Sequence, residues 1–417
     1  MIFKYIKSDF LGNVSTQMLG TGVAQLLPLL MMPILTRLYS EEEFGVYSTF
    51  LAYSAVLIVA VSARYQVAIL LPKQDEDALK VFKLSNIITS VTSLFLLLIS
   101  LVIYLGFKNP LNQNGLIFLI PIYVFFFGLW QSYFNLSIRF KKFKVTAISK
   151  IVQSIGYIGI SCIIGLIFTP LGLVLGKAAG VLSSLMFIIF KLKPKKHSFS
   201  GTQLKEAALK YIDYPKFNLI PALLDTLSLQ ALIILIGYYY TDLELGYFGL
   251  ANICISAPLA LIGVAYRDVF YQRITSLIND NQIRHAKSFF LKSSAILGLL
   301  GVSIFFILFF YGADLFSFVF GLKWSTSGKF ASILAFSLVF RLVVSPLSSI
   351  LYATGKVKIV SLWQSIYFVT TFSTLFIAIL IYKSDIYALL KVYVLHEVVL
   401  YMLYYYLQYN SINKLIK

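Results

Sequence analysis

Residues 38–47 read LYSEEEFGVY, and residues 239–248, 201 positions later, read YYTDLELGYF. Both segments place a hydroxyl residue three positions before a glutamate, which is the pattern of a capping box at a helix start. An apolar run follows each, and about 20 such residues are enough to cross the roughly 30 Å hydrocarbon core of a bilayer. The repetition predicts that one helical arrangement occurs twice in the chain.

The composition of the chain is that of an integral membrane protein. Of its 417 residues, 59% are hydrophobic and 12% are charged, whereas about 25% of residues are charged in an ordinary soluble domain. The charges lie between apolar runs, so the net charge of +18 belongs to loops rather than to a nucleic-acid-binding domain. We predict an all-α polytopic membrane protein with helices at about 11–36, 44–71, 84–106, 115–138, 145–168, 171–192, 215–238, 245–267, 288–311, 328–351, 357–382 and 386–408.

The two similar segments are separated by an even number of these helices, which preserves their direction. The twelve helices are therefore expected to form two parallel six-helix repeats about an axis along the membrane normal. A weaker repetition pairs Gln153-Ser154-Ile155 with Gln364-Ser365-Ile366. Chance similarity is the alternative, because many helices use capping boxes. The predicted domains are an N-terminal bundle, a cytoplasmic linker and a C-terminal bundle, at 1–192, 193–214 and 215–417.

The distribution of lysine and arginine predicts the orientation. Cytoplasmic loops carry an excess of both residues. With both termini in the cytoplasm, most of the loop cations fall inside, and the outer loops hold only Arg37, Lys108, Lys323, Lys329 and Lys383.

With these twelve helices, the segment 38–45 and the basic loop Arg139–Lys144 before the fifth helix, the chain resembles the multidrug/oligosaccharidyl-lipid/polysaccharide (MOP) exporter superfamily, in particular its polysaccharide (O-antigen and capsule) flippase branch. The resemblance implies two bundles in a V around a central cavity, working by alternating access in the bacterial cytoplasmic membrane. The implied cargo is an oligosaccharide on polyprenyl pyrophosphate, moved from the cytoplasmic to the outer leaflet. Membrane lipids and other polysaccharide-assembly proteins are the implied partners.

Three other functions are open. A multidrug exporter of the same superfamily would be expected to have an acidic interior for cationic drugs. A lipid II flippase of the superfamily usually has two further helices. A membrane polysaccharide polymerase would place catalytic residues on a long outer loop, but the longest here, about 312–327, holds no acid–base pair, histidine or nucleophile arrangement. We therefore expect no enzyme, no metal site and no cofactor apart from a coupling proton or sodium ion.

Four cations within the apolar runs are the candidate substrate-binding residues, because charges inside a membrane are costly and normally face protein or water. They are expected to bind the anionic pyrophosphate through charge-assisted contacts. These cations are Arg341, Arg64, Lys177 and Arg267. For Arg341, the deepest, the alternative is a structural ion pair, and for Arg64 it is snorkelling to the surface. For Lys177 the alternative is a packing role, and for Arg267 an interfacial one. Lys150 and Lys391, near helix ends, are expected to snorkel.

Two acids at mid-depth, Asp225 and Glu397, are candidates for binding the coupling proton or sodium ion. A structural pairing with Arg341 or Lys391 is the alternative. His396, next to Glu397, projects about 100° away along the helix and need not share its site.

The first helices of the two predicted repeats contain three prolines in total, Pro28 and Pro33 in one and Pro221 in the other. Proline removes a backbone hydrogen bond and bends a helix, so these positions are candidate hinges or mere packing kinks. Gly172, Gly176 and Gly180 form a small-residue face that predicts a close approach to another helix.

Overall fold

The computed structural model describes residues 2–106, 115–167, 171–193, 198–382 and 385–415. Within these ranges it contains twelve helical segments that are long and apolar enough to cross a membrane. The predicted all-α fold with twelve spans is thereby confirmed.

The first six spans come from long helices with one short helix among them. Their bounds are α1 (Ile2–Leu38), α2 (Glu41–Ala60), α3 (Tyr65–Ala68), α4 (Asp75–Gly106), α5 (Leu116–Arg139), α6 (Phe143–Ile167) and α7 (Gly172–Leu192). The next helix, α8 (Gly201–Lys210), lies in the segment 193–214 and starts with a capping box between Ser200 and Gln203.

The last six spans contain two π-helical turns, Tyr214–Asn218 and Leu259–Gly263, and one 3-10 turn, Leu322–Trp324. Their helices are α9 (Leu219–Tyr239), α10 (Asp242–Pro258), α11 (Val264–Asn279), α12 (Ile283–Phe320), α13 (Ser325–Leu347), α14 (Ile350–Ala353), α15 (Val357–Tyr382) and α16 (Ile386–Asn413).

Two sequence-based boundaries were wrong. The helix expected over 44–71 stops at Ala60, because Ala63 and Arg64 have positive φ values of 46° and 67°, a region that interrupts a right-handed helix. The outer loop expected at 312–327 is mostly helical, since α12 continues to Phe320 and α13 starts at Ser325. The segment where a polymerase would have its long outer loop is therefore only a short turn between α12 and α13.

Both predicted capping boxes are present. The Ser40 backbone N–H donates to Glu43 Oε2 at 2.7 Å, and the Glu43 N–H donates to Ser40 Oγ at 3.2 Å. The Thr241 N–H donates to Glu244 Oε2 at 3.0 Å, and the Glu244 N–H donates to Thr241 Oγ1 at 3.2 Å. Each pair satisfies backbone donors that a helix start leaves free.

The chain divides into two compact units that do not follow chain order strictly. The first unit contains residues 1–39 and 46–230, and the second contains residues 40–45 and 231–417. The sequence-based division with a linker at 193–214 stays a prediction.

Within the second unit, the two repeated segments pack against each other reciprocally. A Cβ added to Gly45 would strike the backbone carbonyl of Asp242, and one added to Gly246 would strike the carbonyl of Glu41. These four residues correspond at the 201-residue spacing found in the sequence. The contact is therefore reciprocal between corresponding residues of the two segments, and both glycines are required by the close approach.

In the first unit, the predicted small-residue face of α7 packs closely on α6. A Cβ on Gly176 would meet Ser161 and the Tyr157 carbonyl, and one on Gly180 would meet the Gln153 carbonyl. The predicted close approach is confirmed, and it holds the next residue of α7, Lys177, near the middle of α6.

Candidate functional site

A polar cavity of about 270 Å³ lies within the first unit, among α1, α5, α6 and α7. Its lining combines two lysines, two glutamines and two aromatic rings with small polar and apolar residues. The lining residues are Thr21, Ala24, Gln25, Pro28, Trp130, Lys150, Gln153, Ser154, Tyr157 and Lys177.

Lys177 enters the cavity from α7. Its Nζ lies 5.1 Å from the centroid of the Tyr157 ring, within the range of a cation–π interaction. The Tyr157 ring is held in turn by stacking on Tyr47, with centroids 6.1 Å apart and ring planes 10° apart. The ammonium group is therefore positioned by an aromatic face rather than by a carboxylate.

Lys150 enters the same cavity from α6. Its Nζ donates to Thr21 Oγ1 at 3.0 Å and lies 5.2 Å from the centroid of the Phe134 ring. Sequence reasoning assigned this lysine to the membrane surface because it lies near a helix end. The structure turns the side chain inwards instead, towards α1.

Hydrogen bonds between helices fix the walls of the cavity. Trp130 Nε1 donates to Ser184 Oγ at 2.8 Å, and Ser184 Oγ donates to the Ser149 carbonyl at 2.7 Å. Ser154 Oγ donates to the Ala24 carbonyl at 2.6 Å. These bonds join α5, α6, α7 and α1, so the lining is preorganised.

The cavity has an excess of positive charge. Neither Lys150 nor Lys177 has a carboxylate within 4.0 Å in the described part of the chain. The ion pairs of this unit use the carboxylates of Asp75, Glu76 and Asp77 instead. A half-buried ammonium group without a counter-ion is costly. An anionic ligand would lower that cost through charge-assisted hydrogen bonds.

A second polar cluster lies within the second unit, around Glu397 of α16. The side chain of Glu397 is fully buried, and its Oε1 accepts a hydrogen bond of 2.7 Å from Tyr367 Oη of α15. Its other oxygen, Oε2, has no partner among the described residues. The cluster therefore contains a carboxyl group with an acceptor still to be satisfied.

Arg341 of α13 acts electrostatically on this cluster. It interacts with Glu397, Tyr367, Tyr393 and Tyr401, although no carboxylate in the described ranges lies within the 4.0 Å of a direct ion pair with it. The structural pairing of Arg341 with Glu397 stays a prediction, because no direct ion pair joins them among the described residues.

His396 also lies in this cluster, which the sequence alone did not require. Its Nδ1 lies 4.0 Å from Glu397 Oε1, and both ring nitrogens are buried without a hydrogen-bond partner among the described residues. The 100° step along the helix separates the two side chains at the backbone, but their tips approach each other.

Arg64 is not among the described residues that line the cavity, and it lies in the turn between α2 and α3. Its Nε donates to Asn218 Oδ1 at 2.8 Å, and the following Tyr65 Oη donates to the Ala208 carbonyl of α8 at 2.9 Å. Partial burial lowers the pKa of Arg64 from its ordinary value, but a guanidinium stays protonated at physiological pH. These two hydrogen bonds connect the turn to α8 and to the π-helical turn Tyr214–Asn218 within the first unit.

The other two charged candidates are also not among the described residues that line the cavity. Arg267 of α11 is exposed, and its Nε lies 3.3 Å from Asp268 Oδ1, as the interfacial alternative expects. Asp225 of α9 is partly buried and has no ion pair with another described residue. Their roles in binding stay predictions.

The candidate hinge prolines are placed as the sequence predicts. Pro28 and Pro33 lie inside α1, and Pro28 also lines the cavity. Pro221 lies in the first turn of α9, directly after the π-helical turn. Their role as hinges stays a prediction.

Of the sequence-based candidates, only Lys177 and Pro28 line the cavity, and Arg341 and Glu397 share the second cluster. Sequence reasoning missed the roles of Lys150, Trp130 and Tyr157. Gln153 and Ser154 stood out in the sequence only because the same pair occurs again at Gln364 and Ser365. That repetition does not indicate a binding role.

Solved structures with the same fold are transporters of the MOP superfamily. An inward-facing MATE family multidrug resistance transporter is 12% identical, with a TM-score of 0.74, and the match covers 94% of this chain and 95% of the other. The lipid II flippase MurJ, in an inward closed conformation, is 12% identical, with a TM-score of 0.70 and coverage of 95% and 87%. A MOP transporter from Pyrococcus furiosus is 15% identical, with a TM-score of 0.57 and coverage of 96% and 95%.

Curated protein sequences gave no significant match. The model of a family described as polysaccharide biosynthesis proteins, in contrast, matches residues 34–329, which is more than half of the chain. This match agrees with the twelve spans and with the transporter fold. The chain therefore belongs to the polysaccharide biosynthesis protein family, and it is a multi-pass membrane protein with the fold of these transporters.

Proposed function

We propose that this protein is a flippase for a polyprenyl-pyrophosphate-linked oligosaccharide, an O-antigen or capsule repeat unit. It moves this cargo from the cytoplasmic to the outer leaflet by alternating access. The observation that carries the proposal is the cavity in the first unit, where Lys150 and Lys177 have no carboxylate partner among the described residues. Such a cavity suits an anionic cargo.

The charge of this cavity argues against the export of cationic drugs, which would be bound better by carboxylates. The similar structure from Pyrococcus furiosus is described as having a binding pocket of reversed polarity that suggests a different function. That description supports the idea that the polarity of the pocket separates functions within this fold.

Lipid II is the second candidate cargo, because the similar structure of MurJ is that of a lipid II flippase. The two candidates differ in a complementation experiment. This protein is expected not to restore growth when it is expressed in cells depleted of their lipid II flippase, and restored growth would favour lipid II.

The direct test depletes the protein and measures lipid-linked oligosaccharide in each leaflet. Outer-leaflet oligosaccharide is expected to fall and the cytoplasmic pool to rise, because synthesis continues while transfer stops. Cells that express Arg341→Ala are expected to show the same defect with normal protein levels. Unchanged outer-leaflet oligosaccharide after depletion would contradict the proposed function, and loss of the Arg341→Ala protein itself would assign Arg341 a structural role.

The coupling ion is expected to bind at Glu397 or Asp225. Glu397→Gln keeps an acceptor for Tyr367 but removes the ionisable group, so transport in vesicles is expected to lose its response to an imposed proton or sodium gradient. Glu206→Gln in the exposed part of α8 is the control. An unchanged gradient response in Glu397→Gln would transfer the role to Asp225, where Asp225→Asn is the corresponding test.

The proposed location is the bacterial cytoplasmic membrane, with both termini in the cytoplasm. Single cysteines placed at Lys144 and Lys323, in a protein whose free Cys162 and Cys254 are replaced by serine, test this orientation. Impermeant thiol reagents are expected to label the second from outside intact cells and the first only after lysis.

A further inference from the structure

The lining of the cavity in the first unit distinguishes between the two kinds of anion that such a cargo carries. One is the pyrophosphate, which is a compact group of several negative charges. The other is the carboxylate of an acidic sugar residue, which is a single charge on a ring that also presents hydroxyl groups and apolar C–H bonds. The two require different protein groups.

Two of the three kinds of group that commonly bind phosphate are missing from the described lining. Lysine is present, but arginine forks and free backbone N–H groups at helix N-termini are the groups that match several phosphate oxygens at once. No arginine is among the described residues that line the cavity. The one lining residue of α7, Lys177, lies five positions after the helix start at Gly172, beyond the first four N–H groups that a helix leaves free.

Groups suited to a sugar are present in the same lining. The rings of Trp130 and Tyr157 offer apolar faces for the C–H bonds of a pyranose, and both rings are held in place by contacts already described. The side-chain amides of Gln25 and Gln153 line the cavity as well. Each amide offers both donors and acceptors, and neither makes a hydrogen bond to another described residue, so both are available to hydroxyl groups.

The size of the cavity is consistent with part of an oligosaccharide. Its volume of about 270 Å³ lies just below the roughly 300–1,000 Å³ of pockets that enclose drug-sized ligands. One sugar ring fits such a volume better than a complete repeat unit with its pyrophosphate.

We propose that this cavity recognises an acidic sugar residue of the cargo, a hexuronate or a similar pyranose with one carboxylate. Lys150 and Lys177 supply the counter-charge, Gln25 and Gln153 bind hydroxyl groups, and Trp130 and Tyr157 contact the ring. The identity of the cargo as lipid-linked oligosaccharide rests on the proposed function, whereas binding of the acidic sugar is measurable without transport.

The test measures binding to the purified full-length protein in nanodiscs by calorimetry. Three probes are used: a disaccharide with one glucuronate, the matched disaccharide with glucose in its place, and inorganic pyrophosphate. The glucuronate disaccharide is expected to bind at least about tenfold more tightly than either other probe, because its contacts to the lysines are charge-assisted. Lys177→Gln and Lys150→Gln are each expected to weaken that binding about tenfold or more.

Matched variants separate recognition from folding. Lys144→Gln, at an exposed position of the same helix α6, is expected to bind like the unmodified protein. Lys177→Arg retains the charge and is expected to restore most of the affinity lost in Lys177→Gln. Equal binding of the neutral disaccharide, equal or tighter binding of pyrophosphate, or no binding of any probe by the intact protein would each overturn the proposal.

A transport measurement separates this inference from the proposed function. In cells that make a neutral repeat unit, transport by Lys177→Gln is expected to be close to that of the unmodified protein, whereas an acidic repeat unit is expected to accumulate inside. If both repeat units are transported and Lys177→Gln affects neither, the inference fails and the proposed function stands. If neither repeat unit is transported by the unmodified protein, the proposed function fails, and the calorimetric result still decides what the cavity binds.

Discussion

The double variant Lys150→Gln/Lys177→Gln is expected to reduce surface polysaccharide about a hundredfold in cells whose repeat unit is acidic. Each lysine is expected to form a charge-assisted contact, and contacts of this kind are worth about 1.5–3 kcal/mol. A loss of about 1.4 kcal/mol per contact corresponds to a tenfold change in binding, so removing both removes most productive binding. The measurement is surface polysaccharide per cell, normalised to the protein in the membrane.

The matched control is Lys144→Gln/Lys191→Gln, which removes two exposed lysines from the same helices, α6 and α7. It changes the net charge equally and leaves the cavity intact, so surface polysaccharide is expected to stay normal. Normal polysaccharide in Lys150→Gln/Lys177→Gln would exclude the cavity from transport, and an equal loss in both double variants would indicate an effect of total charge.

Gly246→Ala is expected to lower the free energy of unfolding, although alanine is the better helix former by about 1 kcal/mol. Its Cβ would overlap the Glu41 carbonyl, a backbone atom of a helix start fixed by its own capping box. Overpacking of this kind typically costs about 1–3 kcal/mol. Gly45→Ala, which meets the Asp242 carbonyl, is expected to behave alike. The measurement is the Tm of the protein in detergent.

Gly22→Ala is the control for this comparison. Gly22 lies inside α1, and an added Cβ would have no atom within 4 Å. The helix-forming advantage of alanine is not opposed there, so Tm is expected to stay equal or rise. If Gly246→Ala had the same Tm as Gly22→Ala, the reciprocal contact of the two repeated segments would contribute nothing measurable to the free energy of unfolding.

Sequence reasoning predicted the local features of this chain well. The spans follow from runs of apolar residues, because each run must hydrogen-bond its own backbone inside a membrane. The capping boxes at Ser40 and Thr241 follow from a spacing of three residues, which is a property of one helical turn. The close approach at Gly176 and Gly180 follows in the same way from small residues on one helix face.

Features that depend on distant contacts were missed. The helix breaks after Ala60 without a glycine or proline that would have predicted the break. The turn is stabilised by the hydrogen bond from Arg64 to Asn218, which lies 154 residues away in the sequence. The helical extension to Phe320 was read as a loop. The distance of 4.0 Å between His396 Nδ1 and Glu397 Oε1 did not follow from helix geometry, which describes where side chains start but not where their ends meet.

By itself, the sequence determined the twelve membrane-spanning helices found among the described residues and the repeated, capped helix start, because these depend on neighbours within one or two helical turns. Only the tertiary structure decided that Lys150 lies beside Lys177 in one cavity, with Gln25 and Trp130 in its wall. These residues come from four different helices, and the rotation of each helix about its axis decides which of its residues face the cavity. That rotation is fixed by packing and by hydrogen bonds such as the one from Ser154 to Ala24, which no local pattern records.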